Sequence, residues 1–191
     1  VQYYPSFTRL EAKEFLKEAH IFNHGSVPEC IVDNTSVIVA HGHGASARIA
    51  PEMESFGKIF GMSFTAHAIG HADRKAIVER LFSYVENNFL KGRSFSGWQD
   101  LNLQARQWCI RVANPKYKRS LGMSPDEAYV IEKRFLISLP PYIPPIYKTL
   151  IRVVDMYGFV TVDTNRYSVP ERLCGRKVEV HKSWGAIVVY S

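Results

Sequence analysis

The chain has 191 residues, of which 46% are hydrophobic, 13% aromatic and 22% charged. This composition is that of a globular protein, and it excludes collagen-like repeats, a disulfide scaffold and a largely disordered chain. No apolar run approaches the ~20 residues that a membrane helix needs. Three scattered cysteines indicate a reducing compartment. We therefore expect a cytoplasmic location and no membrane partner.

The net charge of +6 is unevenly distributed along the chain. Residues 1–73 carry 5 Lys/Arg against 8 Asp/Glu, whereas residues 74–120 carry 10 against 3 and residues 121–191 carry 9 against 7. A basic block of this kind is typical of a surface that contacts a polyanion. A solvated basic helix with no partner is the alternative interpretation.

Strands and helices alternate in the first half of the chain. The predicted elements are a strand at 1–4, a helix begun by the capping box Thr8–Glu11 and stopped at Gly25, a strand at 30–32 that is buried on both faces, a helix from Pro51, a strand at 63–66 and a helix over about 72–90. The last helix carries an apolar stripe that we expect to be buried: Val78, Leu81, Phe82, Val85 and Phe89. This alternation predicts an α/β layer fold.

The second half changes character. A helix over 98–113, a basic turn over 114–120 and a helix begun at Ser124 precede the proline-rich stretch 140–145, which predicts an extended linker. Beyond it, five short strands are predicted at 151–155, 159–163, 166–169, 177–182 and 186–190. Five strands in about 45 residues indicate a small barrel.

Two acidic residues stand out by their context. Asp33 follows the predicted strand 30–32, at the end of the strand where open α/β sheets place their ligands. At 100° per residue, Glu79 lies on the shoulder of the apolar stripe of its helix, from which it could face a strand-end aspartate. Two carboxylates that converge in this way suit a hard divalent cation such as Mg²⁺.

Simpler interpretations exist for both acids. Asp33 could be a turn-forming aspartate, and Glu79 a surface acid paired with Lys75. Histidines at 41, 43, 67 and 71 raise the alternative of a zinc site, but no cysteine pair accompanies them.

The order and spacing of several short motifs resemble the IstA family of insertion-sequence transposases, within the superfamily of DDE transposases and retroviral integrases. The matching stretches are 27–34 with Asp33, 78–80 with Glu79, 84–93, Asp100–Asn102 with Trp108, Ser124–Pro125 and Asn165–Pro170. They extend over essentially the whole chain. In this resemblance, Asp33 and Glu79 correspond to the second and third catalytic acids.

The resemblance implies an α/β fold in three parts. These are an RNase H-like integrase catalytic core over residues 1–93, truncated at its N-terminus, a helical connector over 94–139 and a small SH3-like β-barrel over 146–191. It also implies DNA-end cleavage and strand transfer, in which Mg²⁺ or Mn²⁺ is bound by Asp33 and Glu79 and acts on both the attacking and the leaving oxygen. The enzyme class is that of a DDE-type polynucleotidyl transferase.

The sequence departs from the family at the first catalytic aspartate. That residue belongs on the first core strand, and the acids before Asp33 cannot take its place, because they lie on the predicted first helix or near the start of the second strand: Glu11, Glu14, Glu18 and Glu29. We therefore expect Val1 to begin within the core sheet, and this polypeptide to be unable to catalyse strand transfer by itself.

Basic residues in three places are candidates for DNA contact. They are Arg74 and Lys75 beside Glu79, Lys116, Lys118 and Arg119 in the basic turn, and Arg166 and Lys182 in the barrel. The resemblance further implies double-stranded DNA partners, namely transposon ends and target, an AAA+ ATPase helper, a homo-oligomer on DNA, and a bacterial cytoplasm in which the protein joins the nucleoid. Two other classes remain open: a non-enzymatic DNA-binding or assembly module on the same fold, and an RNase H-like nuclease.

Overall fold

A computed structural model describes residues 1–42, 44–66 and 72–191, with the side chains of residues 45 and 72–77 left outside that description. It divides the chain into two compact units, Val1–Tyr142 and Ile143–Ser191, and the division falls inside the proline-rich stretch. In the described ranges, no helix has the length and apolarity needed to cross a membrane. The finer division of the first unit at residue 93 stays a prediction.

The first unit consists of helices and short strands, and it contains the helices and most of the strands that the sequence predicts. In chain order they are α1 (Arg9–Phe22), β1 (Glu29–Val32), β2 (Val39–His41), β3 (Arg48–Ile49), α2 (Pro51–Ile59), β4 (Ser63–Ala66), α3 (Ala72–Val85), α4 (Trp98–Trp108) and α5 (Pro125–Glu132). A π-helical turn extends α3 over Glu86–Leu90, and another extends α4 over Cys109–Ala113. The antiparallel pair β2–β3 was not predicted, because its strands have only three and two residues.

The two predicted capping boxes are confirmed. At α1, the Thr8 side chain accepts a hydrogen bond from the backbone of Leu10, and the Glu11 carboxylate accepts one from the backbone N–H of Thr8 at 2.8 Å. At α5, Ser124 and Glu127 cap each other in the same way. These hydrogen bonds satisfy N–H groups that the first turn of a helix leaves without partners, so both helices begin where their local sequence dictates.

β1 and β4 pair in parallel, with Glu29 opposite Ser63 and Val32 opposite Ala66. Both strands were predicted, but the expectation that residues 30–32 are buried on both faces is wrong, because Ile31 is 46% exposed. The pair is a two-stranded sheet among the described residues, so β1 has a neighbour on one side only.

The prediction of a strand at residues 1–4 is also wrong, because no strand precedes α1 in the described range 1–42. The backbone N–H of Tyr3 donates to the Asn102 side chain at 2.7 Å, and the Asn102 amide donates to the Tyr3 carbonyl at 2.9 Å. The Tyr3 ring lies 6.3 Å from the Phe89 ring. A side-chain amide on α4 therefore supplies the two hydrogen bonds that a neighbouring strand would have given.

The apolar stripe on α3 is buried only at its C-terminal end. Val85 and Phe89 are buried in a cluster with Ala105 and Trp108, whereas Phe82, which was predicted to lie in the core, is 69% exposed. Val78 and Leu81 are exposed as well. The 3.6-residue period identifies one apolar face of a helix, but it does not reveal which part of that face packs against the remainder of the protein.

A second cluster in this unit forms around α2, where Met53, Phe56 and Phe60 are buried. The ring of His20, on α1, packs 4.8 Å from the Phe60 ring and is almost completely buried. Burial lowers the pKa of His20 below its usual range, although a hydrogen bond with the backbone of Gly25 opposes the shift. The sequence-based apolar pattern of α1 did not include this histidine.

Acidification should destabilise the first unit through His20. Because the pKa of His20 is lower in the folded protein, the unfolded chain binds its proton first, and the free energy of unfolding falls as the pH drops below about 6.5. Urea unfolding at pH 7.5, 6.5 and 5.5 measures this fall. His20→Gln should reduce it, while replacement of the exposed His24 by glutamine should not. An equal fall in the wild type and in His20→Gln would contradict the assignment.

The second unit contains five strands, as predicted: β5 (Lys148–Val153), β6 (Phe159–Val162), β7 (Asn165–Ser168), β8 (Lys177–Lys182) and β9 (Ile187–Tyr190). Hydrogen bonds join them into a three-stranded sheet, β5–β8–β9, and a two-stranded sheet, β6–β7. The expected closed barrel is therefore not formed by the strands of this fully described unit. A shared apolar core lies between the sheets, with Val154, Val160, Val162, Leu173, Val178 and Val180 buried.

Candidate metal-binding and DNA-binding residues

Asp33 lies directly after β1, at the carboxyl end of the parallel pair. Its carbonyl accepts a hydrogen bond from the N–H of Thr35 at 2.6 Å, and its Oδ1 accepts one from the N–H of Asn34 at 2.8 Å. The chain therefore turns sharply at this residue. The side chain is exposed, and its second oxygen, Oδ2, has no partner among the described residues. The turn-forming role and a ligand role are compatible, because each uses a different oxygen.

Glu79 lies in the middle of α3, which the chain enters after β4. Its side chain is exposed, and it makes no hydrogen bond or ion pair with any side chain that the structure describes. The proposed partner Lys75, together with Arg74, lies in α3 at positions whose side chains are outside the described residues. The surface-pair interpretation of Glu79 therefore stays untested.

Asp33 and Glu79, both described by the structure, make no hydrogen bond to each other. In residues 1–42, 44–66 and 72–191, no cluster of three or more His, Cys, Asp or Glu side chains could hold a metal ion. His43, His67 and His71, which raised the zinc alternative, lie outside the described residues. The pairing of the two carboxylates remains a prediction from the sequence.

The donor chemistry of the two acids fits a hard divalent cation. Mg²⁺ takes oxygen ligands and is usually held by one or two carboxylates, with water and substrate phosphate completing its coordination. Among the described residues, one carboxylate oxygen of Asp33 and both of Glu79 make no hydrogen bond. Neither carboxylate forms an ion pair with a cation in the described part of the chain.

The basic turn is fixed to the helices before it. Lys118 and Met123 form an isolated antiparallel bridge, which closes the turn. The Lys118 ammonium lies 3.8 Å from the centre of the Tyr84 ring on α3, and that ring packs 5.6 Å from Trp108. Lys118 is therefore held by a cation–π contact.

Lys116 and Arg119 lie on either side of Lys118 and are exposed. Neither has an acidic partner among the described residues. These two cations are the members of the basic turn that are free to contact a phosphate.

Two predicted DNA-contacting residues of the second unit are ion-paired. Arg166 donates to Asp155 at 2.6 Å and lies over the Phe159 ring, and Lys182 pairs with Asp163. Their aspartate partners were not identified from the sequence. Asp155 lies in the segment after β5 and Asp163 in the turn after β6.

The second unit matches a known domain. Residues 139–191 fit the family model of the Mu transposase C-terminal domain. The chain is 29% identical over 171 residues to the transposase for insertion sequence element IS21 of Pseudomonas aeruginosa, an alignment that covers 89% of the chain. It is 26% identical over 202 residues to the transposase for an IS21-like element of Bacteroides fragilis, which covers 97% of the chain. The chain is a homologue of IS21-type transposases.

The predicted resemblance to insertion-sequence transposases is thus confirmed. A putative transposase of Mycobacterium tuberculosis is also similar, at 30% identity over 119 residues. The chain spans 44% of the length of the IS21 transposase, 38% of the Bacteroides relative and 29% of the mycobacterial one. The activities of these longer proteins are therefore only proposed for this chain.

Proposed function

We propose that the chain forms part of a DDE-type DNA transposase, with an RNase H-like arrangement around β1, β4 and α3. In this proposal Asp33 and Glu79 bind Mg²⁺, and exposed cations bind the DNA backbone. The observation that carries the proposal is the position of Asp33. It is an exposed carboxylate at the carboxyl end of a parallel strand pair, in a chain whose relatives are transposases.

The chain's own residues would divide the work between them. The turn after β1 orients the Asp33 carboxylate, because one oxygen is held by the N–H of Asn34 while the other is left for a ligand. Glu79 adds a second carboxylate from α3. A bound Mg²⁺ would supply charge stabilisation for the phosphate oxygens during displacement. Lys116 and Arg119 would hold the DNA backbone near these acids by contacting phosphates.

The wider assembly belongs to the same proposal. End cleavage and strand transfer are proposed for the longer protein, acting on transposon ends and target DNA as a homo-oligomer with an AAA+ ATPase helper. Because chromosomal DNA would be the substrate, the reaction would take place in the bacterial cytoplasm. The match to the Mu transposase C-terminal domain favours a transposase over an RNase H-like nuclease, which needs no such domain.

DNA binding by the chain tests this proposal most directly. The affinity for a mixed-sequence duplex is measured by fluorescence anisotropy between 50 and 200 mM salt. Each lost phosphate contact should reduce the slope of log K against log salt by about 0.9, so Lys116→Gln with Arg119→Gln should reduce it by about 1.8. The matched control is Arg48→Gln, which removes an exposed cation from β3.

The salt slopes of the variants distinguish DNA contact by the basic turn from a general effect of the protein's charge. An unchanged slope in the double variant would remove the basic turn from the DNA interface. A slope reduced by about 0.9 in Arg48→Gln, half the change of the double variant, would indicate that net charge alone governs binding. A chain that binds no duplex even at 50 mM salt would contradict its role in holding DNA.

A further inference from the structure

The connection between β5 and β6 presents two large apolar side chains at its tip, which we define as residues Asp155–Gly158. Met156 and Tyr157 are each 82% exposed, more than any other large hydrophobic side chain that the structure describes. Both lie side by side in one turn. Exposed apolar groups at adjacent positions are typical of a surface that a partner covers.

The tip is rigidly built, so this exposure does not arise from a loose loop. Asp155 Oδ1 accepts hydrogen bonds from the N–H groups of Tyr157 and Phe159, both at 2.9 Å. Arg166 donates to the other carboxylate oxygen at 2.6 Å. Gly158 has a φ of 75°, in the left-handed region that favours glycine. A preformed tip loses little conformational entropy when it binds.

Cations without acidic partners flank the tip. The segment Arg172–Lys177 runs beside it, because the Val154 N–H donates to the Arg176 carbonyl and the Gly175 N–H donates to the Val154 carbonyl, both at 3.0 Å. In this fully described unit, three side chains of that segment are exposed and make no ion pair: Arg172, Arg176 and Lys177. Glu171 is the acid beside them.

These features favour a nucleic acid as the partner. The second unit carries 7 Lys/Arg against 4 Asp/Glu, and two of its cations are already paired with aspartates. Methionine is among the side chains that proteins wedge between base steps, and aromatic rings stack on bases. Unpaired cations beside such a wedge match the phosphates that border a groove.

We propose that the Asp155–Gly158 tip enters a groove of double-stranded DNA, where Tyr157 and Met156 contact bases while Arg172, Arg176 and Lys177 contact phosphates. This inference rests on the proposed DNA-binding function. It deepens that function by naming base contacts in the second unit that no charged residue would reveal. Lys182 and Arg166 then act within the protein, where each pairs with an aspartate, rather than on DNA.

Oxidation of Met156 by dilute hydrogen peroxide, followed by peptide mass spectrometry, tests the contact in the intact chain. Of the four methionines, Met53 and Met62 are buried and Met123 is half-buried, so Met156 is the reactive one and Met123 the internal reference. A saturating mixed-sequence duplex should slow oxidation of Met156 at least about fivefold. Heparin, a polyanion without bases, should protect it much less at equal occupancy.

Substitutions separate base contact from charge. Tyr157→Ala should weaken duplex binding about tenfold, the loss expected for one base–aromatic stack, with an unchanged salt slope. Tyr157→Phe should bind like the wild type, and Tyr142→Ala, which removes another exposed tyrosine, serves as the control. Arg176→Gln should instead reduce the slope by about 0.9.

Each contrary outcome has a distinct meaning. Met156 that oxidises at its free rate in DNA-saturated protein would overturn the tip contact while leaving DNA binding intact. Equal protection by heparin would exclude base contact. Protection that appears without DNA as the protein concentration rises would assign the tip to a second copy of the chain. The absence of any DNA binding by the chain would contradict both this inference and the proposed function.

Discussion

Replacement of Glu79 by glutamine, in a transposase that contains this sequence and the complete catalytic region, should reduce the joining of transposon ends by about a thousandfold or more. The amide keeps the size of the side chain but removes the charge that would bind Mg²⁺. Metal ions contribute several kcal/mol of charge stabilisation to such displacements, and each 1.36 kcal/mol corresponds to a factor of ten in rate. The measurement is strand joining of labelled ends in Mg²⁺.

The matched control is Glu86→Gln. Glu86 is seven residues further along, on the same face, in the π-helical turn that extends α3, and it is also exposed. We expect Glu86→Gln to retain joining and both variants to bind DNA. Retained joining in Glu79→Gln would exclude Glu79 from the metal site, whereas loss in both variants would indicate that the negative charge of α3, rather than one ligand, matters.

Phe89→Ala should lower the free energy of unfolding by about 3–5 kcal/mol, the usual loss for a buried phenylalanine. Phe89 is fully buried and packs 5.5 Å from the Trp108 ring and 5.8 Å from the Phe95 ring. Its removal would leave a cavity among aromatic rings that cannot easily close. Urea unfolding monitored by tryptophan fluorescence measures the change.

Phe82→Ala provides the comparison, because Phe82 is one heptad earlier, on the same apolar stripe, and is 69% exposed. Its substitution should change the stability by no more than about 0.5 kcal/mol. Equal destabilisation by the two substitutions would mean that the face around Phe82 is covered in solution.

Local chemistry explains why much of the fold could be predicted from the sequence. Thr8 with Glu11 and Ser124 with Glu127 form their caps within four residues, so each helix start depends on nearby sequence alone. The five strands of the second unit were found because turn residues separate short β-prone runs. These signals need no knowledge of the remainder of the chain.

The errors came from contacts between distant parts of the chain. Residues 1–4 are not a strand because Asn102, 99 positions after Tyr3, takes both backbone hydrogen-bonding groups of Tyr3. The burial of Ile31 was overestimated because a run of apolar residues does not reveal how many neighbours a strand has.

The candidate site could be predicted only in part. Residue type and order indicate Asp33 and Glu79, and the structure adds that both carboxylates are exposed. The sequence could not distinguish paired from unpaired cations, because the Arg166–Asp155 and Lys182–Asp163 pairs join different elements of the folded unit. The exposure of the Asp155–Gly158 tip is likewise a property of the folded unit.

The contact between Lys118 and Tyr84 has a consequence for how DNA would be positioned. Tyr84 is five residues after Glu79 on the same helix, a rise of about 7.5 Å. Because Lys118 contacts Tyr84, the basic turn that carries Lys116 and Arg119 is joined to the helix that carries Glu79. Under the proposed function, α3 would therefore set the separation between phosphates bound by the basic turn and a metal ion bound by Glu79.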